Sequence, residues 1–205
     1  MSTRFLVFRH GETNWNREER FQGQLDIPLN EHGVAQARRL IEPLKRQRIQ
    51  AILSSDLSRA LATAETIADP LGIRIFSDAR LREAHLGIAQ GLTRAEIEAK
   101  LGVQWVDRWR SVQLTDADLS YPGGESGRAI MERTFACLEA FALQNPEIET
   151  LGVATHGGVI RRLMQRLLPE RTESVPIPNG ILYSVRFDPK QAMERRWSVS
   201  PFIPL

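Results

Sequence analysis

Residues 150–168 read TLGVATHGGVIRRLMQRLL. An apolar, β-prone run from Thr150 to Thr155 meets a histidine and two glycines. The stretch from Gly157 to Leu168 then reads as a helix. A strand that passes directly into a helix is the repeating unit of a parallel sheet covered by helices.

The same unit recurs along the chain. RFLVF (4–8) reads as a buried strand, followed by a polar loop. Asn30 is the expected N-cap of a helix carrying Val34, Ala37, Ile41 and Leu44 on one face, with Pro43 kinking it or ending it early. AILSS (51–55) is a second strand. The next helix, 56–72, turns Leu57, Leu61, Ala64 and Ile67 inward, with Pro70 near its end and Gly72 beyond. IRIF (73–76) is a third strand.

The stretch 77–124 is less regular. Thr93 and Glu96 have capping-box spacing and Gly102 ends the helix they start. A second short helix is expected over Gln104–Val112. LSYPGGES (119–126) reads as a loop, and Ser126–Leu143 as a helix with Ile130, Met131, Phe135, Leu138 and Ala142 on one face. GILYSVRF (180–187) and RRWSVS (195–200) close the chain as strands. The expected fold class is α/β, a three-layer α/β/α sandwich with a mostly parallel central sheet. It forms a single domain over 1–205, with 84–124 as a pocket-covering insertion.

The composition is that of an ordinary soluble globular protein, large enough for one well-buried core. Of 205 residues, 42% are hydrophobic and 25% charged, and the formal net charge is +2. That balance, without a long Lys/Arg block, argues against a nucleic-acid partner. Cys137 is the one cysteine and reads as a small buried apolar residue. No run approaches membrane-spanning length, and the first strand is too short for a signal-peptide core. The expected location is the cytoplasm. The apolar tail SPFIPL packs on the core or meets a partner, and the oligomeric state stays open.

In sheets of this kind ligands bind beyond the carboxyl ends of the strands. There the first strand ends in Arg9-His10-Gly11 and the fourth in Thr155-His156-Gly157, while the second runs into a helix whose first turn holds Arg59. Two arginines and two histidines thus converge on one edge. Arginine presents a planar fork of donors matched to phosphate oxygens, and helix N-termini add N–H groups. No lysine-based phosphate loop is present. His32 reads as a solvated surface residue.

These residues, with FQGQLDIPLNEHGVAQA (21–37), SSDLSRALATAETIA (54–68), LREAHLG (81–87), YPGGES (121–126) and VATHGGVIRRL (153–163), resemble the histidine phosphatase superfamily in its phosphoglycerate mutase-like branch. The motifs fall in family order over residues 4 to about 168. The resemblance implies that His10 attacks phosphorus to form a phosphohistidine. Arg9, Arg59 and His156 hold the phosphoryl oxygens, and Glu83 protonates the leaving oxygen. A bound phosphate dianion favours the protonated carboxyl by like-charge repulsion. Asn16 matches a further donor. Thr13, Gln22, Gly23, Gly157 and His85 complete the expected substrate contacts, His85 at the leaving group.

No cofactor is expected. His10, His156 and Glu83 superficially suggest a metal site, but the arginines beside them repel a divalent cation. The family's cofactor-dependent mutases are longer, carry an inserted basic segment, and have an aromatic residue soon after the glutamate. Here 84–122 is short and Leu86-Gly87 follows Glu83, which resembles the phosphatase members. The expected activity is therefore hydrolysis of a small phosphorylated metabolite. A mutase is the alternative, and a non-catalytic binding module is a lesser one because every motif residue is retained. Trp105 and Trp109 lie one turn apart and read as packing residues. Arg108 and Arg110 read as solvated; either one pointing inward favours a substrate with a second negative group.

Overall fold

The computed structural model describes residues 2–111, 113–169 and 177–200. The helix end expected at Val112 and the tail from Pro201 onward lie outside the described residues.

The strands are β1 (Thr3–Arg9), β2 (Ala51–Ser54), β3 (Arg74–Ser77), β4 (Thr150–Thr155), β5 (Leu182–Phe187) and β6 (Trp197–Ser200). They form one sheet in the order β3-β2-β4-β1-β5-β6. β3, β2, β4 and β1 run parallel to one another, while β5 is antiparallel to β1 and β6 to β5. β1 and β4 are in register from Arg4–Thr150 to Arg9–Thr155, so their two histidine-bearing ends stop level with each other.

The helices are α1 (Asn14–Arg17), α2 (Glu31–Arg39), α3 (Ile41–Arg46), α4 (Ser58–Leu71), α5 (Arg94–Leu101), α6 (Trp105–Arg110), α7 (Gly127–Gln144) and α8 (Gly157–Leu167). β1 is buried on both sides, and its residues alternate between two cores. Phe5 and Val7 join α7 and α8 through Ile130, Phe135, Ile160 and Leu163. Leu6 and Phe8 join α2, α3 and α4 around Leu40, Leu44 and Ile67. The result is the three-layer α/β/α arrangement with a mostly parallel sheet.

Pro43 acts where expected, by a specific route. The helix breaks at Leu40, and Pro43 enters the first turn of α3. In that position its missing N–H has no intrahelical partner to lose. The Thr93 capping box forms, and Asn30 caps α2 by accepting from Gly33 N at 2.8 Å. α1 was not anticipated. It is one turn long, too short for periodicity, and rests on a capping box between Thr13 and Asn16.

The segment 84–124, holding α5 and α6, lies between β3 and α7. Arg162 of α8 straps it down. This guanidinium is fully buried, donates to the carbonyls of Trp109 (2.6 Å) and Ser111 (3.1 Å), and lies 4.8 Å from the Trp109 ring centre. Gly127 makes room for it, since a Cβ there would meet the guanidinium. No helix among the described residues is long and apolar enough to cross a membrane.

Candidate active site

A cavity of about 820 Å³ opens beyond the carboxyl ends of β1 and β4. His10 lies at its base, only 3% exposed. Its Nδ1 is 2.6 Å from the Gly11 carbonyl oxygen. A carbonyl only accepts, so Nδ1 carries the proton and Nε2 keeps the lone pair in the neutral ring. Burial, followed by the charges of Arg59 and Arg9, holds the His10 pKa well below its ordinary value. The ring is a neutral base at pH 7.

Two arginines border it. Arg59 is fully buried in α4, and donates to the carbonyls of Leu25 (2.9 Å) and Gly23 (2.7 Å). Arg9 donates to the carbonyl of Ile177 at 2.7 Å. The Nε of each is buried and has no partner among the described residues. Burial lowers both guanidinium pKa values to about 10 against the pull of Glu83, so both remain charged at neutral pH.

His156 is fully buried, its ring centre 5.1 Å from that of His10. Nε2 lies 2.8 Å from the Ser55 hydroxyl, and Nδ1 is buried without a partner among the described residues. Burial, then Arg59, pushes its pKa well down. Glu83 stands across the cavity. One carboxylate oxygen accepts from Ala84 N and the other from Gly158 N, each at 2.9 Å. Gly158 permits this approach, because a Cβ there would fall on the carboxylate.

A base with a free lone pair, two cations with unused donors and a carboxyl group all lie on one cavity, and the buried His156 ring packs behind its wall beside His10. A family model described as the histidine phosphatase superfamily (branch 1) matches residues 5–200. The chain belongs to that superfamily. It is 40% identical over 176 residues to phosphoglycerate mutase-like protein 4 of Arabidopsis thaliana, covering 85% of this chain and 75% of the relative. It is 35% identical over 185 residues to glucosyl-3-phosphoglycerate phosphatase of Mycolicibacterium vanbaalenii, covering 87% and 80%. The solved structure of a mycobacterial glucosyl-3-phosphoglycerate phosphatase with VO3 aligns with a TM-score of 0.82 at 29% identity, covering 98% of each chain.

Within this histidine phosphatase, most of the expected substrate contacts reach the cavity and two do not. Asn16, Gln22, Gly23 and Gly157 line it. The Asn16 oxygen accepts from Thr13 N (3.1 Å) and lies 3.4 Å from Asn179 Nδ2, so its NH₂ group is what remains for a ligand. The Gly23 carbonyl is taken by Arg59. Thr13 is a correction: it is fully buried, off the cavity wall, and its hydroxyl accepts from Asn16 N to cap α1. In this structure its hydroxyl serves Asn16, which does line the cavity. His85 is the second correction. It lies off the cavity wall, its backbone pairs with Glu125, and its Nδ1 accepts from Gly87 N at 3.3 Å. Among the described residues no three His, Cys, Asp or Glu side chains are grouped as a metal site requires.

Sequence reasoning missed several cavity residues. Asn179, whose Nδ2 donates to the His10 carbonyl at 2.8 Å, comes from a loop without a motif. Ser55, which lies behind the wall against His156, had a signal, a serine just past strand β2 beside the other two strand ends. Arg110 points into the cavity over the Phe21 ring, 5.0 Å from its centre, whereas Arg108 stays outside with Asp116. Arg161 also lines the cavity. Trp109 packs on Tyr121 and reaches the wall, while Trp105 packs on Tyr121 and the core without lining the cavity.

Proposed function

We propose that this histidine phosphatase hydrolyses small phosphomonoesters through a phosphohistidine on His10. The observation that carries this is the 2.6 Å contact between His10 Nδ1 and the Gly11 carbonyl, which leaves Nε2 unprotonated and facing the substrate cavity between Arg9 and Arg59.

The lone pair of Nε2 attacks phosphorus as the ester P–O bond breaks. Arg9, Arg59 and the unpaired His156 Nδ1 supply donors to the phosphoryl oxygens, with the Asn16 amide beside them. Such fixed donors act where charge develops. The departing oxygen takes its proton from Glu83. The resulting carboxylate then takes a proton from water, whose oxygen attacks phosphorus. The P–N bond breaks, its electron pair returns to Nε2, and inorganic phosphate leaves. The guanidinium charges do the work a metal ion would otherwise do. Segment 84–124 covers the cavity, contributing Leu86, Trp109 and Arg110 to its wall.

A mutase shares the first half of this sequence and passes the phosphoryl group to a hydroxyl instead of water. It is the less supported reading. The Arabidopsis relative carries a mutase-like name, while glucosyl-3-phosphoglycerate phosphatases match both in sequence, over 87% of the chain, and in solved structure, over 98% of it.

The test is hydrolysis of an aryl phosphate without added metal, alongside detection of an acid-labile phosphohistidine by mass spectrometry after alkaline quench. The expected result is turnover that His10→Ala abolishes. Unchanged turnover in that variant overturns the reading.

A further inference from the structure

His10 and His156 each have one ring nitrogen tied to the protein and one left over. For His10 the tie is the Gly11 carbonyl, which only accepts, so the nitrogen left over keeps a lone pair. For His156 the tie is a hydroxyl, which can donate or accept. That contact alone does not say which nitrogen holds the proton. The surroundings of Ser55 decide it.

Ser55 follows β2 and is held to β4 by its own N–H, which donates to the Ala154 carbonyl at 2.9 Å. This pairing sets its side chain against His156, 101 residues further along, with Oγ 2.8 Å from Nε2. Both residues are fully buried. The same Oγ accepts from the backbone N–H of Leu57 at 3.3 Å, just ahead of α4. The hydroxyl proton therefore needs an acceptor of its own, and among the described residues it meets none but His156 Nε2. The Ser55 carbonyl is taken by the Ser54 hydroxyl at 2.8 Å. Leaving a buried O–H unmet is costly, whereas a ring lone pair satisfies it. Nε2 therefore accepts, and in a neutral ring the proton lies on Nδ1. Burial, then the Arg59 charge, keeps the ring neutral.

Nδ1 is itself buried and has no partner among the described residues. The two rings thus have the same tautomer and present opposite ends, His10 a lone pair and His156 an N–H. Their centres are 5.1 Å apart. An N–H beside a phosphoryl group on His10 attracts its oxygens, and a lone pair in the same place repels them.

We infer that Ser55 is a positioning residue that holds His156 as its Nδ1–H tautomer, so that the unpaired nitrogen meets the phosphoryl group as a donor. This deepens the hydrolase reading and rests on it for the anion that meets the donor. Arg9 and Arg59 need no such device, because a guanidinium has donors only.

The test reads the tautomer directly, without turnover. The histidine rings of the full chain are labelled with nitrogen-15, and long-range proton–nitrogen correlation spectra are recorded at neutral pH. Loss of one ring in His156→Gln assigns its signals. The expected result for His156 is a protonated Nδ1 and a lone-pair Nε2. Ser55→Ala should draw the two nitrogens toward averaged shifts as both tautomers become populated, and Ser55→Thr, which keeps the hydroxyl, should restore them. Orthovanadate affinity, measured calorimetrically, should weaken ~10-fold or more in Ser55→Ala, the size of one lost hydrogen bond to a charged group. A protonated Nε2 in the unmodified chain overturns the inference, whatever the variants do. So does an unchanged His156 tautomer in Ser55→Ala, and so does an unchanged vanadate affinity once the tautomer has changed. Aryl phosphate hydrolysis is the separate readout. Its absence from the unmodified protein, with the Nδ1–H tautomer held by Ser55, sinks the hydrolase reading alone. Normal hydrolysis with a protonated Nε2 sinks the role of Ser55 alone.

Discussion

The carboxylate of Glu83 accepts the backbone N–H of Gly158 at 2.9 Å, across 75 residues of chain. This fixes the proposed acid at the first turn of α8, two residues past His156. Glu83→Gln should therefore slow alkyl phosphates by ~100-fold, within the range for general acid catalysis, and p-nitrophenyl phosphate much less. Equal losses on both substrates would argue against proton donation.

Gly158→Ala tests the same placement without touching an ionisable group. The new methyl falls on the Glu83 carboxylate and must displace it. We expect a roughly 10-fold or larger loss of kcat on alkyl phosphates, since small displacements of catalytic groups are expensive. Far-ultraviolet circular dichroism should be unchanged.

Arg59→Lys should behave as a loss of function, not as a conservative change. Lysine cannot reach the Leu25 and Gly23 carbonyls and still offer a planar donor to phosphate. A fall in kcat/KM of ~10²-fold or more is expected, with weaker inhibition by orthovanadate. Inhibition equal to that of the unmodified protein would remove Arg59 from the phosphate nest.

Stability should rise with pH between about pH 5 and 7. His10 and His156 have folded pKa values well below the ordinary 6.5. Below pH 6.5 the unfolded chain therefore binds protons that the folded chain refuses. Each ring's contribution is complete above the unfolded pKa and is lost as pH falls, at up to about 1.4 kcal/mol per pH unit. Urea unfolding at pH 5.0, 6.0 and 7.5 measures the slope, and His156→Gln should lower it by one ring's share. An unchanged slope would contradict a neutral buried His156.

Gly11→Ala should destabilise the fold by ~1–3 kcal/mol, because its Cβ would meet the backbone of Gly33 and neither chain has a flexible end to yield. Chemical denaturation reads this directly.

Much of this was legible one residue at a time. β1 and β4 announce themselves as apolar runs that end in His-Gly, and the Asn30, Thr93 and Ser126 caps lie where polar residues precede helical periodicity. The parallel sheet follows from strands alternating with helices, and the meeting of His10, Arg59 and His156 follows from the sheet. α1 escaped notice because one capped turn has no period to detect. Thr13 and His85 lie off the cavity wall: adjacency to a motif does not say which way a side chain faces.

Local pattern by itself determined the strands, most of the helices, the strand end that bears His10 and the chain's place among the histidine phosphatases. These depend on period, capping chemistry and residues within a few positions of each other. The tertiary structure alone decided which arginines are matched and which are not. Arg108 and Arg110 are two residues apart and chemically identical, yet one pairs with Asp116 outside and the other enters the cavity. Ion pairing depends on distances across the fold, which no local pattern contains.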